Sequence, residues 1–168
     1  MFTTGRRLRR LFSSPRSLGP VAHAYRTSAQ VEAPADVVWQ ILSDVERMPT
    51  WTTSMTHVTL LGPETRIAVG SRVEVQQPGL PEATWEVDGL VEGRGFSWSS
   101  TTPGVRTGAA HQIAPVSDAA CEVTLVTAQS GMLAGLTNLV QGSKARELVD
   151  TELAGLKAES ELRMRGKG

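Results

Sequence analysis

The amino-acid sequence predicts an α+β domain with an antiparallel sheet of six to seven strands, one long C-terminal helix and two short helices between the first two strands. Three observations predict this fold. Residues 25–51 combine a strand with two short helical segments. Residues 57–129 carry apolar residues at every second position, with Gly and Pro between the runs. Residues 133–163 repeat apolar residues at helical spacing.

The first segment, V-E-A-P-A-D-V-V-W-Q-I-L-S-D-V-E-R-M-P-T-W, runs from Val31 to Trp51. Pro34 ends the first strand and suits the first turn of a helix, where its missing N–H would have no partner. The helix then ends at Ser43-Asp44. Met48-Pro49 breaks the chain a second time, so Trp51 lies just beyond a short turn. Its apolar stripe consists of Val37, Val38, Ile41 and Leu42, with Trp39 beside it.

Alternation of apolar and polar residues predicts the strands that follow. The predicted strands are His57–Leu61, Ser71–Gln77, Ala83–Val91, Phe96–Ser100, Thr107–Ile113 and Cys121–Gln129. The phasing of Ala83–Val91 places Trp85, Val87 and Val91 on the inner face of the sheet. His111 is the only titratable side chain that this phasing places on the inner face, because no Asp or Glu of the strands falls there.

The predicted C-terminal helix, Leu133–Arg163, has two unlike halves. Its inner face holds large residues in the C-terminal half and small ones before them. The face is formed by Val149, Leu153 and Leu156, and it continues backward through Ala145, Gly142, Asn138 and Gly135. Because Gly inside a helix costs about 1 kcal/mol relative to Ala, two glycines on one face need a reason. We therefore expect a cavity between the first half of this helix and the sheet.

The order of strand, A-P-x-x-V-W helix, Asp and P-x-W resembles the polyketide cyclase/START-like superfamily, also called SRPBCC or Bet v 1-like. The similarity extends over the later strands and the long helix, from Tyr25 to Glu161. The resemblance implies a helix-grip fold, in which a curved antiparallel sheet wraps around the C-terminal helix and leaves a cavity for an apolar ligand. It does not imply one chemistry, because one fold hosts many functions.

We therefore expect the domain to bind a hydrophobic or amphipathic small molecule, with enzymatic activity undecided. The candidate ligand-binding residues are Trp51, Met55, Val75, Trp85, Trp98, His111, Gln129, Asn138 and Gly142. His111 is the one catalytic candidate, and it is open whether it is a wall residue or an acid–base group. Two alternatives remain: a polyketide cyclase/dehydratase-type enzyme that uses His111 with Asn138 or Gln129, and a quinone- or lipid-handling protein.

Composition excludes several other classes. The 17 basic and 17 acidic residues balance, which argues against a nucleic-acid-binding domain. The single cysteine, Cys121, cannot form an internal disulfide and indicates a reducing compartment, so we expect a cytoplasmic protein. We expect no metal and no cofactor, because neither paired His or Cys spacings nor a phosphate-binding glycine motif occurs. The sequence leaves the oligomeric state open.

The length of 168 residues fits a single domain, which we expect at residues 21–163. We expect a disordered C-terminus at residues 164–168 and a basic, disordered N-terminal tail at residues 1–20. Two other interpretations of that N-terminal segment are open. It has the composition of an organelle-targeting peptide, and it also suits a weak anchor that makes the protein membrane-peripheral. In the anchor interpretation Arg6, Arg7, Arg9 and Arg10 contact anionic lipid.

Overall fold

A computed structural model describes residues 23–166 of the chain. Strand β1 (His23–Val31) is followed by helix α1 (Ala35–Ser43), a 3₁₀ turn (Val45–Arg47) and the single-turn helix α2 (Met48–Trp51). Six strands and one long helix complete the fold: β2 (His57–Leu61), β3 (Arg72–Gln76), β4 (Ala83–Val91), β5 (Gly95–Thr102), β6 (Val105–Pro115), β7 (Cys121–Ser130) and α3 (Ala134–Arg165).

The seven strands form one antiparallel sheet in the order β1-β7-β6-β5-β4-β3-β2. The predicted helix-grip fold is confirmed, including the two short helices between β1 and β2. Alternation located β2 and β4 at their observed bounds, whereas β6 extends two residues further at each end than predicted. Helix α3 ends at Arg165, two residues beyond the predicted end, and so includes the first two residues of the predicted C-terminal tail. The predicted N-terminal tail lies outside the described residues.

One predicted side-chain orientation in β4 is wrong. The pairing of β4 with β5 shifts register between Val87 and Gly89, as a β-bulge does. Residues before the shift follow the predicted alternation, with Val87 fully buried. After the shift Leu90 packs against the core and Val91 is exposed. The bulge adds one residue, which exchanges the two faces of the strand.

The C-terminal half of α3 is fixed tightly against β1 and α2. A Cβ atom added at Gly155 would collide with the carbonyl oxygen of Trp51, so glycine permits the close approach of α2. Lys157 Nζ donates to the carbonyl oxygen of Gln30 at 2.6 Å. Glu161 Oε1 accepts from Lys157 Nζ at 2.7 Å and from the backbone N–H of Glu32 at 3.0 Å. These two hydrogen bonds, with that from Lys157 the larger cause, lower the pKa of the Glu161 carboxyl.

The hydrophobic core lies between α1, the C-terminal half of α3 and the neighbouring ends of the strands. Its largest fully buried side chains include Ile41, Leu42, Phe96, Ile113, Leu125 and Leu156. The apolar stripe predicted for α1 is buried in this core, together with Trp39. Between residues 23 and 166, no helix combines the length and the apolar character needed to cross a membrane.

Candidate functional site

A buried ion-pair partner for His111 is the central feature of the inner face. His111 Nε2 lies 2.8 Å from Glu152 Oε1, and the two side chains are only 3% and 7% exposed. Strand β6 presents His111 from the sheet, while α3 presents Glu152 from above. The imidazole also stacks on Phe96, with ring centroids 4.4 Å apart. The aromatic ring and the carboxylate together fix the orientation of the imidazole.

The expectation that His111 is the only titratable group on the inner face is therefore wrong. Glu152 comes from the helix, whereas the acidic residues considered for this role were those on the strands. A signal for it exists in the sequence, because Glu152 lies one helical turn after Leu148 and one before Leu156, both of which are buried. A carboxylate at the centre of an apolar stripe needs a buried partner, and His111 provides one.

Two buried polar atoms on the inner face of the sheet have no hydrogen-bond partner among the described residues. They are Nδ1 of His111 and Oε1 of Gln129, and Nε1 of Trp51 in α2 is a third buried atom without a partner. Buried polar groups are nearly always hydrogen-bonded, to protein or to another molecule. The Nε atom of Arg106 is also unpaired, but Arg106 faces the other side of the sheet, where it bonds Ser99 and pairs with Asp88. The atoms of His111 and Gln129 are therefore the polar groups of the inner face that could bind a ligand.

Side-chain exposure changes along the inner face of β6 and β7. At one end of the inner face Ile113 and Val123 are fully buried. Toward the other end, the cross-strand pairs Ala109–Thr127 and Thr107–Gln129 are only half-buried, although they lie on the same face as His111. We call the stretch of inner face from His111 to these two pairs the inner slot. Thr107 lies four residues before His111, so this stretch is about 13 Å long.

Small residues occupy buried and half-buried positions in the first half of α3. Gly142 is buried, and the three atoms nearest to a Cβ added there all belong to the side chain of Asn138. Asn138 itself is half-buried. Gly135, in contrast, is exposed, so its predicted position on the inner face is wrong. Gly135 lies beside His23 at the start of the edge strand β1, at the rim of the sheet.

The predicted ligand-binding residues divide into two groups. Trp85 and Trp98 pack together at 5.5 Å between ring centroids, and Trp98 also meets the edge of His111 at 5.6 Å. Trp85 is half-buried and leaves part of its ring accessible, whereas Trp98 is buried. Met55 and Val75 are buried in the apolar core, so the structure does not bring them to the slot as accessible residues.

Cys121 and the metal-binding residue types complete the description of the site. Cys121 is a free, buried thiol, and burial raises its pKa to about 11. Such a thiol is a poor nucleophile near neutral pH. In the part of the chain that the structure describes, no group of three or more His, Cys, Asp or Glu side chains could hold a metal ion.

The family model described as "Polyketide cyclase / dehydrase and lipid transport" matches residues 22–161, which is most of the chain. The chain belongs to this family. Membership and the helix-grip fold together indicate a ligand-binding domain of the polyketide cyclase/dehydrase type. A search of curated proteins found no match to the chain.

Solved structures with the same fold come from several bacteria. A hypothetical protein from Helicobacter pylori is 14% identical, with a TM-score of 0.72, and the match covers 85% of this chain and 90% of that one. The Zhui aromatase/cyclase from Streptomyces sp. R1128 is 22% identical, with a TM-score of 0.65 and coverage of 87% and 98%. A START superfamily protein from Mycobacterium smegmatis is 16% identical, with a TM-score of 0.63 and coverage of 87% and 99%. At these identities the similarity establishes the fold alone.

Proposed function

We propose that this polyketide cyclase/dehydrase family domain binds an elongated, mostly apolar small molecule whose polar group contacts His111. The observation that carries the proposal is the unpartnered Nδ1 atom of a buried imidazole whose other nitrogen is already paired with Glu152. When the Glu152 oxygen is the acceptor of this hydrogen bond, Nε2 carries the proton. Nδ1 of the neutral ring then accepts from a ligand hydroxyl, and Nδ1–H of the imidazolium donates to a ligand carbonyl.

The walls of the inner slot favour a flat ligand. Phe96 and Trp98 are buried against His111, and Trp85, which packs on Trp98, is half-buried and leaves part of its ring accessible. An accessible aromatic ring packs well against a planar ligand. At the other end Gln129 provides an unpartnered carbonyl oxygen. The expected ligand therefore has a planar apolar body about 13 Å long, with a polar group at the His111 end and a donor near Gln129.

A larger side chain at position 142 of α3 tests whether the inner slot holds open space. Replacing Gly142 by Leu adds a large side chain at a buried position of α3, where the atoms nearest to a Cβ belong to the Asn138 side chain. We expect Gly142→Leu to abolish uptake of the neutral fluorescent probe N-phenyl-1-naphthylamine without lowering the free energy of unfolding, because Leu is the better helix former. Gly135→Leu is the matched control, because Gly135 is exposed and gains the same helix propensity. A destabilisation of several kcal/mol by Gly142→Leu would show that the site is already packed and would refute the slot.

Proton-transfer catalysis is a second candidate function, favoured by one observation. A buried carboxylate that orients one imidazole nitrogen and leaves the other free is the arrangement of a general base. In an aldol cyclisation, Nδ1 would take a proton from a carbon next to a substrate carbonyl. That carbon would attack a second carbonyl of the same chain, and the imidazolium would return the proton to the new alkoxide. Glu152 would stabilise the imidazolium in between. The Streptomyces structure that shares the fold is titled an aromatase/cyclase.

Substitution of His111 distinguishes a protein that only binds its ligand from an enzyme that converts it. Native mass spectrometry of molecules that co-purify with the full chain would first identify the ligand. If the domain only binds it, His111→Gln should retain most of the affinity, because Gln also offers a hydrogen bond there. If the domain is a catalyst, His111→Gln should lower turnover by about 10²- to 10⁴-fold while affinity changes little. Glu152→Gln is the companion variant, since it keeps a hydrogen-bonding group beside the ring but removes the charge that stabilises the imidazolium.

A further inference from the structure

The outer face at the start of α3 carries an uncovered apolar stripe. Four of its side chains are 62–95% exposed: Met132, Leu136, Leu139 and Val140, with Leu133 partly exposed beside them. The helical members are spaced by three and four residues, so they share one face. That face lies opposite Ala134, Asn138 and Gly142, which turn toward the sheet. Contiguous exposed apolar surface of this kind marks an interaction site more often than a neutral surface.

Charged side chains flank the apolar stripe. No acidic residue occurs between Glu122 and Glu147 in the sequence. At 100° per residue, Lys144 and Arg146 fall on the two sides of the stripe. Glu147, at the C-terminal end of the stripe, pairs with Lys144 at 3.3 Å, so Arg146 supplies the positive charge beside the stripe. In the turn between β3 and β4, the residue beside α3 is the uncharged Gly79, which lies next to the aliphatic part of the Lys144 side chain.

The N-terminal segment joins the fold at the same end of the molecule. His23, the first residue of β1, lies next to the first turn of α3, since its Nε2 is 3.9 Å from a Cβ added at Gly135. The 22 residues that precede it contain five arginines and no acidic residue. The strongest positive charge in the sequence is therefore attached beside the apolar stripe.

We propose that this end of the domain docks on an anionic lipid bilayer, with the apolar stripe entering the headgroup region and the arginines contacting lipid phosphates. Buried apolar side chains and basic residues at one surface are the two contributions that bind peripheral proteins to anionic membranes. Charge complementarity favours this partner over two others. The N-terminal segment folded onto its own stripe would bring its arginines to Arg146. A second copy of the chain would bring two arginine-rich N-terminal segments together.

Co-sedimentation with vesicles tests the proposal on the full chain. We expect binding to phosphatidylcholine vesicles that contain about a third phosphatidylglycerol, and its loss as salt rises from about 50 to 500 mM. Leu139→Ser should lower the partition coefficient about tenfold, because one exposed leucine no longer enters the bilayer. Leu162→Ser is the matched control, since Leu162 is 58% exposed at the opposite end of the same helix. Replacing Arg6, Arg7, Arg9 and Arg10 by Gln should lower binding to the anionic vesicles by at least about tenfold.

Other outcomes would overturn the inference. Equal binding by the parent, Leu139→Ser and Leu162→Ser proteins would show that the stripe does not contact lipid. Stronger vesicle binding after deletion of residues 1–20 would mean that the N-terminal segment covers the stripe instead. A dimer detected by sedimentation velocity and lost in Leu139→Ser would assign the stripe to a second copy of the chain. None of these measurements depends on the ligand of the inner slot.

Discussion

Replacing Glu152 by Leu, alone and together with His111→Phe, tests whether the two side chains form one buried unit. The pair is 2.8 Å apart and almost fully desolvated, so solvent screening does not weaken it. Glu152→Leu leaves the imidazole without its charged partner, and we expect a loss of about 2–3 kcal/mol in the free energy of unfolding. His111→Phe leaves a buried carboxylate unpaired, which should cost about 3–5 kcal/mol.

The double variant should be more stable than either single variant. Phe at position 111 can keep the stacking on Phe96, and Leu at position 152 continues the stripe from Leu148 to Leu156. Replacing a buried ion pair by apolar residues of similar volume is often neutral or stabilising. The expected coupling energy of the cycle is therefore at least about 2 kcal/mol.

Urea unfolding followed by far-ultraviolet circular dichroism measures the four proteins of this cycle. The slope of the free energy against urea should stay constant, because the surface exposed on unfolding hardly changes. Effects that add within about 0.5 kcal/mol would refute the reasoning, because independent residues behave in that way. Glu152→Gln provides the control for shape, and we expect it to cost less than Glu152→Leu because the amide can still hydrogen-bond His111.

Three further predictions concern the rest of the fold. Gly155→Ala should lower the free energy of unfolding in urea by about 1–3 kcal/mol, because the new Cβ meets the Trp51 carbonyl. Gly135→Ala, at an exposed site, should raise it by up to about 1 kcal/mol. In the folded protein at pH 8, Cys121 should resist labelling by a disulfide reagent, because it is buried and its pKa is about 11. In denaturant it should react fully. Fast labelling of the folded protein would contradict this burial. Glu161→Gln should lower the free energy of unfolding by about 1 kcal/mol at pH 7. Because the folded pKa of Glu161 lies below the ordinary value of a glutamate, this difference should vanish as pH falls through that lowered pKa, and a difference independent of pH would contradict it.

The sheet was predictable from the sequence because its two faces differ in chemistry. Alternation identified every strand after β1, and only the bulge in β4 reversed an orientation. A signal for that bulge was present in Gly89, because glycine inside a strand often marks one. A Cβ at this position would lie 2.8 Å from Ser97 Oγ on the paired strand.

The inner slot was predictable only in part. The small face of α3 came from helical spacing, which assigns a residue to a face within about one position and therefore misplaced Gly135. Helical spacing from Leu148 and Leu156 places Glu152 on the buried face of α3, but its partner His111 lies 41 residues away along the chain, so the sequence does not show that the two meet. The sequence likewise could not show that polar atoms of Gln129 and Trp51 are buried without a hydrogen-bond partner, because this depends on the folded structure.

The two halves of α3 differ in what supports them, and this links ligand binding to membrane binding. Gly155, Lys157 and Glu161 fix the C-terminal half to α2 and β1. Residues 134–145 face the slot on one side and carry the uncovered stripe on the other, so fewer protein contacts oppose their local opening. A ligand inside and a bilayer outside would each order these turns, and by linkage each should then strengthen the binding of the other. Amide hydrogen exchange measures this directly. We expect residues 134–145 to exchange faster than residues 148–163 in the free protein and to slow on anionic vesicles, and uniform exchange along α3 would refute this linkage.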